Sequence, residues 1–334
     1  MSAKLWLLVL CLGAIISFFV AISIGQVEIG FIQTFEAVIN CSFGLNGCGD
    51  HSITEKIVFE LRLPRTIMAF IVGAGLAITG VILQTLTRNP LADPYLFGIS
   101  SGAALGAVIA MSFGAIAIAI DLGALVGSLV SVLIMLGLAN QSSKQVEQLV
   151  LAGVAVSFML SSFTSLVLYY SSPNVIAALI FWMMGSFEHL SWQDLAWPLT
   201  VVIISTVIFF TFRRWLDAML AGDDLAESLG IPTQKVRLGL LLVSALLTAV
   251  LVSKVGGIAF VGLMVPHICR LLVGHKMTVL LPTVFLVGGC FMVWVDVLAR
   301  TLLTDQQLPI GVVTSAFGSL FFILLLKHHQ LSNK

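Results

Sequence analysis

From Thr66 to Leu86 the chain carries no charged side chain. A helix of that length extends about 30 Å at roughly 1.5 Å per residue, enough to cross the hydrocarbon core of a bilayer. Similar runs recur along the whole sequence. With 59% hydrophobic and only 10% charged residues, against about 25% charged in an ordinary soluble domain, a chain of 334 residues cannot cover itself with polar groups in water. Lipid is the solvent this composition calls for. In lipid every backbone N–H and C=O must find its partner inside the protein, which leaves helical bundles and closed barrels. Barrel strands alternate apolar and polar residues. These runs are continuously apolar, so an all-α polytopic membrane protein is expected. The formal net charge is zero, which gives no electrostatic footprint for nucleic acid.

Ten spans follow from the apolar pattern, over about 5–25, 66–86, 95–113, 115–138, 148–169, 193–212, 236–253, 258–273, 277–298 and 310–326. Asp121 interrupts the start of the fourth. The segment 174–190 is too broken for a span and reads as a short helix on the outer side. The run from Leu5 to Gly25 behind Lys4 is long enough to span and shows no small-residue cleavage site, so it reads as an uncleaved first helix rather than a signal peptide. Ten crossings put both termini on one side. With the termini in the cytoplasm, Lys56, Arg62, Arg65, Lys254 and Arg300 lie outside and the other eleven of the 16 lysines and arginines lie inside, which is the sense the positive-inside rule favours. The chain is then a single transmembrane domain over 1–334, with an outer loop over 26–60 and a cytoplasmic loop over 213–235. The halves 66–169 and 236–326 hold four spans each and enter from opposite sides, as an inverted repeat does.

The outer loop carries Cys41 and Cys48 around Gly44 and Asn46-Gly47, turn residues that favour bringing two thiols together. A non-cytoplasmic compartment permits a disulfide there. Cys11, Cys269 and Cys290 lie in or beside spans and read as small packing residues. Gly73, Gly75, Ala77 and Gly80 stud the second span and let neighbouring helix backbones approach.

Little in the chain is equipped for covalent chemistry. The sequence contains no G-x-x-x-x-G-K-[ST] for nucleotide phosphates and no H-E-x-x-H for zinc, and no enzyme activity is expected. The span centres are nearly free of ionisable groups, which cost roughly 2.5–3.5 kcal/mol there and persist mainly where they work. Proton- or sodium-coupled carriers keep such groups, so the driving energy is expected from elsewhere. The most charged stretch is R-R-W-L-D-A-M-L-A-G-D-D-L-A-E-S-L-G-I-P-T-Q-K-V-R, from Arg213 to Arg237. Asp223, Asp224 and Glu227 open a helical turn and Gly230 with Pro232 closes it. That predicts a short amphipathic helix outside the bilayer, as a solvated connector or as a docking element. Thr87 to Pro94, T-R-N-P-L-A-D-P, is a polar turn that Pro90 and Pro94 keep from continuing as helix. Arg62, Arg65 and Arg300 are either snorkelling anchors at the membrane edge or bidentate grips for carboxylates. His267 has no His or Cys spaced to share a metal and reads as structural.

R-L-P-R (62–65), G-A-G-L-A-I-T-G-V-I-L-Q (73–84), N-P-L-A-D-P-Y-L-F-G-I-S-S-G-A (89–103), K-V-G-G-I-A-F-V-G-L-M-V-P-H-I-C-R (254–270) and L-P-I-G-V-V-T-S-A-F-G (308–318) together resemble the FecCD family, the permeases of type II ABC importers for ferric siderophores, haem and cobalamin. The resemblance covers nearly all of the chain from about residue 57. Two positions depart from the family pattern: Gln307 stands where a glutamate is usual and Ser319 where a proline is usual. The resemblance implies a cobalamin-importer-like fold of about ten helices in a bacterial inner membrane. It implies a second permease subunit, two ABC subunits that bind ATP and magnesium, and a periplasmic substrate-binding protein as partners, with no cofactor in this chain itself. Arg62, Arg65 and Arg300 would meet glutamates of the binding protein. Asn89 and Leu91, with Ser142 and Ser143, would form the cytoplasmic gate. Asp223, Asp224, Leu225, Glu227, Leu229 and Gly230 would couple to the ATPase. Met159, Phe163, Tyr169, Tyr170, Trp182, Met183 and Met184 are the candidate walls of the translocation path, where packing is the plainer role for such residues. The substrate expected is an iron chelate or cobalamin, with an oxyanion of the molybdate type as an alternative in the same family. An ion-coupled secondary transporter and a non-transporting membrane scaffold are the alternatives from other classes.

Overall fold

The computed structural model describes residues 3–25, 27, 29–43, 53–139, 146–188, 190–303 and 306–332, which form helices and connecting turns with no strand among them. Helix α1 (Ala3–Ser23) is followed by α2 (Phe31–Phe43), and α3 (Ile53–Lys56) continues through a π-helical turn (Ile57–Arg62) into α4 (Leu63–Thr87). A 3-10 turn (Pro94–Phe97) precedes α5 (Ile99–Ser112), α6 (Ala117–Ala139), α7 (Val146–Tyr169), α8 (Pro173–Met183) and α9 (Trp192–Thr211). Then come α10 (Arg213–Ala221), α11 (Asp223–Ser228), α12 (Thr233–Val255), α13 (Val261–Val273), α14 (Met277–Thr301) and α15 (Ile310–Ser332). Seven helices are long and apolar enough to cross a membrane, and α5, α13 and α15 are shorter apolar helices. Each of the ten expected spans therefore has its helix.

The stretch 26–60 is not loop throughout. α2 lies inside it, with Thr34 and Ala37 buried one turn apart and Ala37 packed into a small cluster with Ile22, Ile29, Val58 and Leu63. A single buried stripe on 13 residues is too short to register as a span, which is why the apolar pattern passed over it. Cys41 lies in its last turn and is disulfide-bonded; Cys48, the partner expected for it, lies outside the described residues.

α4 is the centre of the bundle. Of its most apolar window 89% is buried inside the protein, against 11% for α1. It packs on α9, α12, α13 and α14, and the expected small residues make those approaches possible. A Cβ on Gly73 would overlap the carbonyl of Gly288, and one on Gly80 the carbonyl of Gly262. The same device joins α5 to α6, where Gly102 and Gly106 lie against Gly127 and Gly123. In lipid no solvent effect drives helices together, so such backbone contact supplies the attraction.

Three chain breaks meet between the helices. The Ser186 N–H donates to the Val255 carbonyl at 2.9 Å, Ile310 N–H to Gly185 at 3.0 Å and Gly311 N–H to Met184 at 2.9 Å. The end of α8, the end of α12 and the start of α15 are thus stitched by main chain alone. In each half a long helix, α4 or α12, precedes a short one, α5 or α13, and the two breaks touch: the Ile258 N–H donates to the Tyr95 hydroxyl at 2.6 Å. Short or interrupted segments at corresponding positions are what an inverted repeat places beside a transport path.

Candidate translocation, docking and coupling sites

At the end of the bundle where α4 begins, the arginines turn inward. The Arg62 guanidinium donates to the carbonyls of Ile22 and Ser23, both at 2.9 Å, and to that of Val27. Arg300 donates to the Ala21 carbonyl. These carbonyls belong to or follow the last turn of α1, where helical acceptors have no intrahelical donor, so both arginines act as caps. Arg65 Nε donates to Asp296 Oδ1 at 2.8 Å and its Nη1 to Gln307 Oε1 at 2.7 Å. Arg300 Nε stands 3.4 Å from Asp296 Oδ2, a charge contact without hydrogen-bond geometry. Arg62 and Arg300, expected at the docking face, are both buried, and as a buried guanidinium must be paired, carbonyls of the α1 end and Asp296 supply the partners. Arg65 lines a cleft. Asp296 was missed as a partner, although V-D-V-L-A-R sets it one helical turn before Arg300, and that i,i+4 spacing was the available signal.

The cleft has a volume of about 960 Å³ and is walled in part by Arg65, Trp182, Glu188, Asp194, Lys254 and Gln307. Lys254 Nζ lies 2.7 Å from Asp121 Oδ2 and 2.9 Å from Asp194 Oδ1, tying α12 to α6 and α9. Asp194 also accepts from the Ser191 N–H at 3.0 Å and hydroxyl at 2.7 Å, which closes the start of α9. No local spacing marks this three-helix junction, whose partners lie 60 and 133 residues apart.

The expected path residues fall into two groups. Met159 and Phe163 are exposed on α7, as are Tyr169 and Tyr170 at its end, with ring centroids 5.0 Å apart. Met183 is exposed at the end of α8, while Trp182 is half-buried and Met184 lends its carbonyl to the stitched junction. The exposed face of α7 also carries Ser161, Ser162 and Ser165, which sequence reasoning did not single out. Ser162 and Ser165 return their protons to carbonyls one turn back, at 2.8 and 3.0 Å. A helix face mixing hydroxyls with Met and Phe suits water or another protein surface better than acyl chains.

At the opposite end, Arg88 terminates α4 in the left-handed region with φ 49°. Asn89 Oδ1 accepts the Leu91 N–H at 2.9 Å, an Asx turn that closes the polar connection on itself and leaves Leu91 55% exposed. Asp93 is buried and caps the 3-10 turn by accepting the Tyr95 N–H at 2.8 Å. Ser142 and Ser143 lie outside the described residues. The long polar segment folds as α10 and α11, and Gly230 at φ 79° closes α11 with its N–H on the Glu227 carbonyl at 2.9 Å, the glycine stop that the sequence predicted. Leu225 and Leu229 are 50% and 66% exposed, one turn apart, with Asp224 exposed beside them. Asp223 turns inward to Arg237 Nη2 at 2.7 Å and to Arg88. Glu227 accepts the Thr233 hydroxyl at 2.7 Å. The acids expected to act together are thus divided: Asp224 faces out with the leucines, and Asp223 and Glu227 brace the chain.

Two carboxyls here titrate in opposite senses. Burial pushes Asp93 up to about 6, against the pull of the Tyr95 hydrogen bond. For Asp223, burial acts upward, but the hydrogen bonds and charges of Arg237 and Arg88 prevail and hold it below the ordinary 3.8. A raised value stabilises the fold below the unfolded pKa and loses that contribution as pH rises through about 6. A lowered value stabilises above the unfolded pKa and loses it as pH falls through the folded one. Amide protection in the turn 88–97, corrected for intrinsic exchange, is therefore expected to increase between pH 7 and 5, and protection in α11 to fall only below pH about 4. The reverse ordering would refute the assignment.

The sequence model of the FecCD transport family matches residues 13–328. The chain belongs to this family. Among its FecCD relatives, the cobalamin import system permease BtuC of Halobacterium salinarum is 37% identical over 279 residues, 83% of this chain and 75% of that protein. The hemin transport system permease HmuU of Yersinia pestis is 34% identical over 324 residues, 95% of each. A solved structure of a metal-chelate type ABC transporter in an inward-facing conformation superposes with a TM-score of 0.86 at 28% identity, covering 97% of this chain and 99% of that one. As a FecCD protein the chain is a multi-pass ABC importer permease, a transport subunit.

Proposed function

We propose that this permease moves a large metal chelate, an iron chelate or cobalamin, with ATP hydrolysed by separate subunits. The observation that carries the reading is the division of α11: an outward apolar pair, Leu225 and Leu229, on a short ordered helix beside the bundle, and an inward carboxylate tied to the turn at the end of α4. An outward leucine pair on a helix outside the spans is a surface for a soluble partner. The relatives named for cobalamin and hemin both handle a metal held in a tetrapyrrole, and the structural likeness is to a metal-chelate transporter. Two copies of the chain meet along the mixed face of α7, so that Met159, Phe163 and the serines line the path between them. The α11 end is cytoplasmic, in keeping with the excess of lysine and arginine there. The cleft beside Arg65 and Lys254 lies outside, where a binding protein delivers the substrate.

The test is uptake by proteoliposomes holding the permease and its ATPase, with hemin, cyanocobalamin or a ferric siderophore presented on the cognate binding protein. Uptake of one chelate is expected only with ATP on the α11 side. Replacing Leu225 and Leu229 by Asp removes two apolar anchors, each contributing about 1.5–3 kcal/mol when buried, and is expected to weaken ATPase association about a hundredfold or more. Uptake driven by a proton or sodium gradient without ATP would overturn the reading.

A further inference from the structure

We infer that Asp223 is a positioning residue that links the ATPase-facing helix α11 to the gate turn through Arg88. The inference rests on the reading of α11 as the ATPase contact and of the turn at Asn89 and Leu91 as the gate, and adds how motion at the one reaches the other. Asp223 is the first residue of α11, and its two oxygens serve different elements. Oδ1 takes Arg237 of α12 at 2.7 Å, and Oδ2 takes Arg88. Arg88 is the residue that ends α4 and immediately precedes Asn89 and Leu91. The gate turn is therefore anchored to α11 at its own base.

The remaining geometry makes that link directional. The turn is closed internally by Asn89 on the Leu91 N–H and by Asp93 on the Tyr95 N–H, so it moves as one piece rather than unravelling. α11 is hinged at both ends by glycines with positive φ, Gly222 at 134° and Gly230 at 79°. Neither glycine has an atom within 4 Å of where a Cβ would sit, while Ala226 between them is fully buried in the core, so α11 is held to the bundle at its middle between two uncrowded ends. The Arg88 and Asp223 side chains are partly open to solvent, and ion pairs of that kind add little to stability. Arg88 also holds a left-handed backbone conformation that a non-glycine residue adopts only when its surroundings impose it. A weak pair at a strained residue is poorly explained as a stabilising device and well explained as a mechanical one. Arg237 is buried and fixes Asp223 to α12, the fulcrum against which the lever works.

The experiment uses the full permease–ATPase complex in lipid nanodiscs, with Cys11, Cys269 and Cys290 replaced by serine and Leu91→Cys as a reporter of the gate. The readout is the rate of maleimide labelling with and without ATP and magnesium, beside the rate of ATP hydrolysis. Arg88→Gln is expected to leave hydrolysis within about twofold and to reduce the nucleotide-dependent change in labelling at least about fivefold, a loss of coupling rather than of activity. Arg88→Lys, which keeps the charge, is expected to restore most of the response. Arg88→Gln with the labelling response intact would overturn the link while leaving the α11 reading in place. Loss of ATPase association in Arg88→Gln would also overturn it, because the pair would then serve docking. A parent complex whose labelling ignores nucleotide would overturn both the link and the reading it rests on.

Discussion

Asp296→Ala is expected to lower the stability of the detergent-solubilised protein by about 3–5 kcal/mol, the range for removing one partner of a buried ion pair. The carboxylate is only 1% exposed, Arg65 holds it at 2.8 Å and Arg300 faces its other oxygen at 3.4 Å. Without it two guanidiniums remain with no other carboxylate within ion-pair distance of either among the described residues. Arg300 then keeps its Nη2 bond to the Ala21 carbonyl, while its Nε stays buried with neither a hydrogen bond nor a counter-charge. The measurement is the thermal unfolding midpoint beside that of Arg65→Met, which leaves Asp296 and Arg300 still facing one another and is expected to cost less. A combined Asp296→Leu, Arg65→Met and Arg300→Met chain, which removes all three charges at once, is expected to recover most of the loss, as apolar replacement of whole buried networks does. Equal midpoints for Asp296→Ala and the parent chain would show that the cluster is hydrated.

Gly106→Leu is expected to prevent α5 and α6 from pairing, at a cost of at least about 3 kcal/mol, the upper end for overpacking a tight interior. The obstacle is backbone: a Cβ on Gly106 would overlap the Gly123 carbonyl, and the neighbouring Gly102 and Gly127 leave no slack for the helices to slide. Separating them also opens the cluster of Ala103, Ala107, Val108 and Ala124. Gly137 supplies the control within α6, because nothing lies within 4 Å of its would-be Cβ. Gly137→Leu is expected to fold as the parent chain does. Size-exclusion profiles of tagged protein after mild solubilisation decide the matter, and a monodisperse Gly106→Leu peak would refute the packing argument.

The uncharged runs were enough to read the helical class and the ten spans, because in lipid a long apolar segment has one way to satisfy its backbone. The short elements were harder. α2 is amphipathic over a few turns only and went unread, whereas the short helix expected within 174–190 is α8, of eleven residues. Gly230 was legible as a stop because a left-handed position selects its residue type. The arginines were legible as important, and their partners within the chain were not. Whether a guanidinium reaches the carbonyls of Ala21, Ile22 and Ser23 depends on pairings 39 to 279 residues apart, which no local spacing encodes; only the i,i+4 step from Asp296 to Arg300 was there to be read. Lys254 with Asp121 and Asp194, and Asp223 with Arg88, were invisible for the same reason. Leu225 and Leu229 were named through the family resemblance alone, and the structure leaves both exposed, one helical turn apart.

The junction of α8, α12 and α15 has a consequence for how such a permease changes over time. Its three bonds run from amide to carbonyl, so they are blind to the identity of the side chains at Trp182, Met183 and Met184. The seam therefore tolerates other side chains at Met183 and Met184, while Trp182 is held by its own packing against the cluster of Ala103, Leu179 and Val252. A permease built this way separates what keeps it in one piece from the side chains that stand over the seam, and the latter can change without reopening the fold.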